Sequence, residues 1–340
     1  MMNATLEEVG LTYYRMVTIV VISVYIPINP LVADIERPPM PIEFDPSPRF
    51  SEYAHPERVV SAAWLSAHLG MPGLKVVESD EDSLLYDIGH IPGAVRIDWQ
   101  RDLNDPITRD FIDGERFAKL MSEKGIARDD TIVVYGDHNN WWATYTMWVL
   151  TMFGHEDVRL LDGGRDGWMG EERDTSFAVP AYPETDYPVV KRNDELLRAF
   201  VEEVVEEAAA KSSTLIDARP SISYTAEERT SGTFARKTGN REGHIPGAIN
   251  ISHDKAIYPN NTFRGRKELD EIAADVPTDK PIIVYCHLGD RASHMWFVLT
   301  YLLGYDNVRV YDGSWAEWGS RVRMPIAVGP TPEGDNQPEL

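Results

Sequence analysis

The feature that most constrains the fold of this chain is an internal repeat. A six-residue block, Gly-His-Ile-Pro-Gly-Ala, stands at 89–94 and again at 243–248. Three further blocks follow in the same order in both copies: a β-branched run, a second apolar run ending in Asp-Gly, and a closing tryptophan. The copies are offset by 154 residues at the first block and by 150 at the later ones. Four blocks in one order predict two copies of one domain, each about 120 residues long.

Short β-branched runs alternate with amphipathic stretches inside each copy. The runs at 131–135, 215–217 and 282–285 are interpreted as strands. Continuous apolar strands separated by helices are typical of a parallel sheet covered on both faces. The predicted fold class is therefore α/β, with two tandem domains that each hold a mainly parallel sheet with helices on both faces. One helix of the second copy is predicted after a cap at Asn193, with apolar positions at Leu197, Phe200, Val201, Val204 and Val205.

Composition sets the expected domain boundaries. Residues 1–54 are predicted to be a poorly ordered N-terminal extension, because an apolar run at 16–26 leads into a proline-rich segment. That run is shorter than the roughly 20 residues a bilayer-spanning helix needs, so no stable membrane insertion is expected. A dispensable extension from an upstream start codon is favoured, with an export signal or a membrane tether as alternatives. The first domain is expected at 55–172, a linker at 173–190, the second domain at 191–322 and a loose tail at 323–340.

Charge and cysteine content exclude several classes of function. The chain carries 33 basic and 55 acidic residues, a net charge of −22, which argues against binding to nucleic acid. Its single cysteine excludes an internal disulfide and a cysteine-rich zinc site, and it fits a reducing compartment such as the cytoplasm. The sequence has no glycine-rich phosphate loop and no histidine pair at metal-binding spacing. We therefore expect neither a cofactor nor a metal.

The single cysteine stands where chemistry is expected. After the matching strands, the first copy continues with Gly136, whereas the second continues with Cys286-His287-Leu288-Gly289-Asp290-Arg291. Ligands and reactive groups collect at the carboxyl ends of strands in open α/β sheets. Loop amides, the N-terminus of the following helix and the basic residues at 287 and 291 favour an ionised thiol. Cys286 is therefore predicted to be reactive rather than an inert core residue.

The length of this loop separates two kinds of chemistry. A phosphatase-type loop has five residues between its cysteine and its arginine, so the arginine is the seventh residue, whereas Arg291 is the sixth from Cys286. The shorter loop has room for a sulfur atom on the cysteine but is tight for phosphate or arsenate. Sulfur chemistry is therefore favoured over a Cys/Arg phosphatase or an arsenate reductase, which remain the alternative.

Together these motifs resemble the two-domain rhodaneses, a family of thiosulfate and 3-mercaptopyruvate sulfurtransferases. The resemblance covers about residues 55–322 and includes the tandem blocks, the six-residue cysteine loop in the second copy and the closing Asp-Gly-x-x-x-x-Trp element. It implies that Cys286 takes up sulfane sulfur as a persulfide and passes it to cyanide or a thiol. It also implies that the loop amides at 287–291 stabilise the persulfide, and that the first domain, with Gly136, is catalytically inactive.

The resemblance also implies a donor and a set of substrate-binding residues. Thiosulfate is expected over 3-mercaptopyruvate, because two basic residues make the loop more cationic, although Asp290 partly offsets them. A substrate arginine of the family is replaced by Ser223, and Arg241 is the predicted substitute, while Arg219 is expected to be structural. The predicted substrate-binding residues are His287, Leu288, Gly289, Asp290, Arg291 and Arg241.

Two further expectations concern partners and the remaining histidines. The acceptor is expected to be cyanide, a small thiol or a protein thiol such as a thioredoxin, and a non-enzymatic persulfide carrier or scaffold is a third interpretation. His90 and His244 occur in both copies, including the one without a cysteine, so they are predicted to fix a turn. One tryptophan of the first domain is a candidate for the wall of the active-site cleft.

Overall fold

Two five-stranded parallel sheets organise the chain. The computed structural model describes residues 42–227 and 241–335. The strands of the first sheet are Val59–Val60 (β1), Leu74–Glu78 (β2), Val95–Arg96 (β3), Thr131–Tyr135 (β4) and Val158–Leu161 (β5). Those of the second sheet are Arg198–Ala199 (β6), Thr214–Asp217 (β7), Ile249–Asn250 (β8), Ile282–Tyr285 (β9) and Val308–Tyr311 (β10). Their orders, β1-β5-β4-β2-β3 and β6-β10-β9-β7-β8, are the same, so the predicted repeat and α/β class are confirmed.

Helices connect the strands of each sheet. The first domain has Ala62–His68 (α1), Trp99–Asp102 (α2), Gly114–Glu123 (α3), Trp141–Met152 (α4) and Gly164–Gly170 (α5). In the second, the described residues form Asp194–Leu197 (α6), Val201–Ala210 (α7), Ser221–Tyr224 (α8), Arg266–Ile272 (α9), Asp290–Phe297 (α10) and Ser314–Trp318 (α11). Short 3₁₀ turns lie at Pro56–Arg58, Ser83–Ile88, His138–Asn140 and His253–Ala256, and a π turn at Val298–Leu302 continues α10.

The repeated Gly-His-Ile-Pro-Gly-Ala block forms a turn that is hydrogen-bonded to the central strand of each sheet. In the first copy, the N–H of Ile91 donates to the hydroxyl of Tyr135, the last residue of β4, at 2.9 Å. Nδ1 of the buried His90 lies 2.9 Å from the carbonyl oxygen of Tyr86, on whose ring the imidazole stacks. His244 repeats these contacts with Tyr224 in the second copy. The turn-fixing role predicted for both histidines is confirmed.

The two domains share a buried core between α4 and α10. Both helices present apolar residues to one continuous cluster, because each follows the central strand of its own sheet. The hydroxyl oxygens of Thr144 and Ser293 lie 3.3 Å apart between them, and Trp148 Nε1 donates to the carbonyl of Leu197 at 3.2 Å. This packing places the N-terminus of α10, and with it the cysteine loop, against the first domain.

The segment before the first domain is packed rather than loose. Phe50 and Tyr53 are 1% and 4% exposed. The Tyr53 hydroxyl donates to the carbonyl of Arg264 at 2.8 Å, and Arg49 pairs with Asp162 at 2.8 Å. The prediction of poor order is therefore wrong for residues 42–54, because two aromatic rings bury their surface across both domains. Residues 1–41, including the apolar run, lie outside the described residues.

The tail after the second domain is also ordered over its described part. The backbone of Ala327 exchanges two hydrogen bonds with His244, each 3.0 Å long, and the N–H of Gly247 donates to the carbonyl of Pro332. In the first domain, Ser176 makes the same antiparallel bridge with His90. The prediction of a loose tail is therefore wrong for residues 323–335, because this strip and the linker are equivalent parts of the repeat. Residues 336–340 lie outside the described part.

The predicted helix after Asn193 is interrupted. Asn193 does cap α6, since its side chain accepts from the N–H of Leu196, but α6 ends at Leu197. Arg198–Ala199 then pairs with Val310 and Tyr311 as the edge strand β6, and the chain becomes helical again only in α7. Helical spacing continues across the break, so the apolar pattern alone did not reveal a two-residue strand.

Candidate active site

Cys286 lies at the carboxyl end of β9, where the chain turns into α10, and is buried. The first turn of α11 holds this loop from outside: the N–H of Trp315 donates to the carbonyl of Cys286 and that of Ala316 to the carbonyl of His287, both at 3.1 Å. The Ser314 hydroxyl accepts from the N–H of Cys286 at 3.2 Å. Sequence reasoning did not assign this role to 314–316, although the repeated Asp-Gly block marked the position.

The sulfur atom has two close polar contacts. The N–H of Gly289 donates to Sγ at 3.1 Å, and the thiol donates to Asp290 Oδ1 at 3.2 Å. Gly289 has a φ of +108°, a conformation that favours glycine. A Cβ at this position would lie 3.1 Å from Asp312 Oδ1 and 3.3 Å from a ring carbon of Tyr145. A glycine at 289 therefore lets its own amide point at Sγ in the narrow space between Tyr145 of the first domain and Asp312 of the second.

The surroundings of Cys286 shift the pKa of its thiol in opposing directions. Burial raises the pKa of Cys286 to about 12, and the Asp290 carboxylate adds to that rise, while Arg291 and the amides of Ala292 and Gly289 oppose it. The ionised thiol expected from the sequence stays a prediction: Arg291 and two amides favour it, whereas burial and the adjacent carboxylate oppose it.

Arg291 joins the two domains beside the loop. Its guanidinium carbon lies 4.0 Å from the ring centre of Trp141, at the start of α4, and its NH1 lies 3.6 Å from Asp290 Oδ2. The Trp141 ring also meets the His253 ring edge-on at 4.9 Å. Trp141 is thus the first-domain tryptophan that lines the site, and Arg291 places a positive charge near the sulfur.

The other basic residue of the loop does not add a charge at neutral pH. Burial, followed by the positive charge of Arg219, lowers the pKa of His287, and Arg291 and Arg109 act in the same direction. The expected contribution of His287 to a cationic loop is therefore corrected to a neutral imidazole. Leu288 is 36% exposed and forms the outer surface of the loop.

Arg241 and Arg219 occupy structural positions in the second domain. Arg241 donates to the carbonyls of Arg321 and Met324, both at 2.8 Å, so its guanidinium is bound to the start of the tail. Its predicted substrate contact stays a prediction. Arg219 is buried, pairs with Asp217 at 2.6 Å and donates to the carbonyl of Gly243, which confirms the structural role expected for it.

The first copy is closed at the equivalent place. A Cβ built on Gly136 would lie 2.1 Å from the carbonyl oxygen of Ser79, so no side chain fits there without a backbone shift. Asn140 occupies the position that corresponds to Asp290, and its Oδ1 accepts from the N–H of Gly136 at 3.0 Å. The backbone itself thus accounts for the absence of a second reactive centre at this position.

Two features are absent from the part of the chain that the structure describes. No group of three or more His, Cys, Asp or Glu side chains in residues 42–227 and 241–335 is arranged to bind a metal ion. Within the same residues, no helix has the length and apolar character required to cross a membrane.

Comparison with known proteins identifies the family. A family model described as a rhodanese-like domain matches residues 61–171 and 200–321. The chain is 62% identical to the thiosulfate sulfurtransferase of Corynebacterium glutamicum over 291 residues, 85% of this chain and 97% of that protein. It is 49% identical to the sulfur carrier protein TtuD of Thermus thermophilus over 282 residues, 82% and 99% of the two chains.

A solved structure agrees with this assignment. SseA from Escherichia coli, described as a 3-mercaptopyruvate sulfotransferase, matches with a TM-score of 0.66 at 30% identity, over 76% of this chain and 98% of that chain. The resemblance inferred from the tandem blocks and the cysteine loop is confirmed. The chain belongs to the rhodanese family and consists of two tandem rhodanese-like domains, of which the second carries the cysteine.

Proposed function

We propose that this chain transfers sulfane sulfur from thiosulfate to cyanide or a thiol, through a persulfide on Cys286. The observation that carries the proposal is the position of Sγ at the end of β9, in hydrogen-bond contact with a loop amide and a carboxylate. Sulfur transfer as the reaction class, expected from the sequence, is confirmed by relatives named thiosulfate sulfurtransferase and sulfur carrier protein.

The geometry suits a double displacement. In the first half, Sγ attacks the terminal sulfur of the donor, and in the second, the acceptor attacks the terminal sulfur of the persulfide. The Gly289 N–H that contacts Sγ and the guanidinium of Arg291 beside it supply a donor and a positive charge where negative charge develops. Arg291 is directed at Trp141, which favours this chemistry over a phosphate-binding loop.

The positive charge of Arg291 and the sequence identity to a thiosulfate sulfurtransferase both support thiosulfate as the donor. Thiosulfate is a dianion, and Arg291 is a cation within the cysteine loop whose charge acts on the Cys286 thiol. The thiosulfate sulfurtransferase is 62% identical to this chain, whereas the 3-mercaptopyruvate protein is 30% identical.

A protein thiol such as a thioredoxin is proposed as an acceptor besides cyanide. The half-exposed Leu288 forms the outer surface of the loop above a buried sulfur, and a relative at 49% identity is named a sulfur carrier protein. A cytoplasmic location is proposed with it, because a persulfide cycle on one free cysteine requires a reducing compartment.

The donor assignment predicts a measurable preference. Initial rates of thiocyanate formation are compared with thiosulfate and with 3-mercaptopyruvate, each with cyanide as acceptor. We expect kcat/KM to favour thiosulfate by about tenfold or more, equivalent to about 1.4 kcal/mol of differential binding in the transition state. A preference for 3-mercaptopyruvate would make the donor assignment wrong. Hydrolysis of p-nitrophenyl phosphate without thiocyanate formation would replace sulfur transfer by the phosphatase alternative.

A further inference from the structure

We infer that Trp141 of the first domain is a positioning residue for sulfur loading, because its ring holds the guanidinium of Arg291 in place beside Cys286. The inference rests on the proposed sulfur transfer, in which Arg291 supplies positive charge for the thiosulfate dianion. It adds a task for the domain that has no cysteine, since the sequence predicted for one tryptophan of that domain only a place in the wall of the cleft.

The contact between the ring and the cation is close. The guanidinium carbon of Arg291 lies 4.0 Å from the ring centre of Trp141, whereas attraction between an arginine and an aromatic face extends to about 6 Å. Tryptophan attracts a cation more strongly than the other aromatic side chains do. The side chain of Arg291 is 25% exposed, so its charge is partly shielded from water and the attraction is stronger than at an open surface.

No hydrogen bond competes with the ring for this guanidinium in the described part of the chain. Within residues 42–227 and 241–335, the Arg291 side chain donates no hydrogen bond, and its Nε is buried without a partner. Its NH1 lies 3.6 Å from Oδ2 of the neighbouring Asp290, which is longer than the roughly 2.7–2.9 Å of a charge-assisted hydrogen bond. The contact with the Trp141 ring therefore determines where this positive charge lies.

The ring of Trp141 is itself held by both domains. Trp141 begins α4 directly after Asn140, whose side chain makes two hydrogen bonds to the backbone of the first domain. The ring stacks on His138 at 5.4 Å and meets the ring of His253, in the second domain, edge-on at 4.9 Å. Its Nε1 is buried without a hydrogen-bond partner among the described residues, so the ring is held by packing rather than by its N–H. A ring fixed in this way can fix the cation that it contacts.

Trp141 and Arg291 occupy the same position of the internal repeat. The later blocks of the two copies are offset by 150 residues, and positions 141 and 291 differ by the same number. Because α4 and α10 pack against each other, this position meets its own counterpart from the other copy. An arginine in both copies would bring two positive charges together, and these would repel. The copy without the cysteine thus supplies the ring, and the copy with the cysteine supplies the cation.

Without the ring, Arg291 is expected to pair with Asp290. That carboxylate is 4% exposed and lies 3.6 Å from NH1 of the arginine, and opposite charges shielded from water attract strongly. An arginine bonded to Asp290 would have its charge neutralised, so an incoming thiosulfate dianion would meet no free cation in the cysteine loop. The ring of Trp141 therefore keeps the cation available to the donor, and its loss should slow the loading of sulfur.

The test is the second-order rate constant of persulfide loading with thiosulfate, followed by rapid quenching and mass spectrometry of the full-length protein. We expect Trp141→Leu to lower this constant about tenfold, the factor expected from the loss of a partly desolvated contact between a cation and a ring. Trp141→Phe keeps an aromatic face and is expected to stay within about threefold of the wild type. In the Arg291→Gln background, Trp141→Leu should change the constant by less than about twofold, because the residue through which the ring acts is already removed.

The control is Phe44→Leu, which removes an aromatic ring from another arginine, Arg159 at 5.3 Å, and should leave loading within about twofold. Equal losses from Trp141→Leu with and without Arg291 would overturn the inference, because the ring would then act only as a wall of the cleft. An unchanged constant for Trp141→Leu in the otherwise wild-type chain would overturn it as well. If that variant does not fold, Trp141→Met takes its place in both backgrounds. Failure of the wild type to load with thiosulfate would instead overturn the proposed function.

Discussion

Replacement of Cys286 by serine is expected to reduce thiocyanate formation by at least about 1,000-fold with either donor, because the hydroxyl is a far weaker nucleophile and forms no persulfide. The substitution is nearly isosteric, and serine can keep the contacts to Gly289 and Asp290. The measurement is the steady-state rate with thiosulfate and with 3-mercaptopyruvate, each with cyanide. Unchanged far-UV circular dichroism controls for folding, and a variant that retained more than about a tenth of the rate would contradict a nucleophilic role.

Replacement of Phe50 by alanine is expected to lower the free energy of unfolding by about 3–5 kcal/mol, the usual cost of removing a fully buried phenylalanine. Phe50 is 1% exposed, and its ring packs against Tyr53 in the core that the two domains share. The measurement is the urea unfolding midpoint, compared with the wild type.

Phe44 provides a matched control in the same segment. It is 60% exposed, and its one described aromatic contact is with the guanidinium of Arg159 at 5.3 Å. Phe44→Ala is therefore expected to cost less than about 1 kcal/mol. Equal, small effects of both substitutions would contradict the conclusion that residues 42–54 belong to the folded unit.

The internal repeat made much of the fold predictable from the sequence. The apolar runs at 131–135 and 282–285 became the central strands β4 and β9, because continuous β-branched residues fit a sheet buried on both faces. The position of Cys286 followed from the same pattern, since a residue after a central parallel strand lies at the edge where ligands bind.

The sequence wrongly predicted disorder for residues 42–54 and 323–335, because these segments are held in place by residues far away in the sequence. The proline-rich composition near Phe50 suggested disorder. The segment is nevertheless packed, because Arg49 and Tyr53 donate hydrogen bonds to the carbonyls of Phe263 and Arg264, more than 200 positions away. The tail similarly depends on His244, which bridges to Ala327. Local composition carries no information on such contacts.

The electrostatics of the site could be predicted only in part. Sequence spacing placed a cation, a helix N-terminus and a thiol together, but it did not show the burial that raises the pKa of Cys286 and lowers the pKa of His287. The contact with Asp290 had a usable signal, because a residue four positions after the cysteine begins the next helix. A second signal was that the first copy, which lacks the cysteine, has Asn140 and not an acidic residue at the position equivalent to Asp290.

The central claim is that Cys286 carries the sulfur, and the mass of its peptide tests this most directly. The wild-type protein is incubated with thiosulfate, digested without reductant and compared with a sample then treated with cyanide. We predict that the peptide containing Cys286 gains the mass of one sulfur atom and loses it again to cyanide as thiocyanate. Because this is the only cysteine of the chain, thiocyanate formation without that gain would contradict the account.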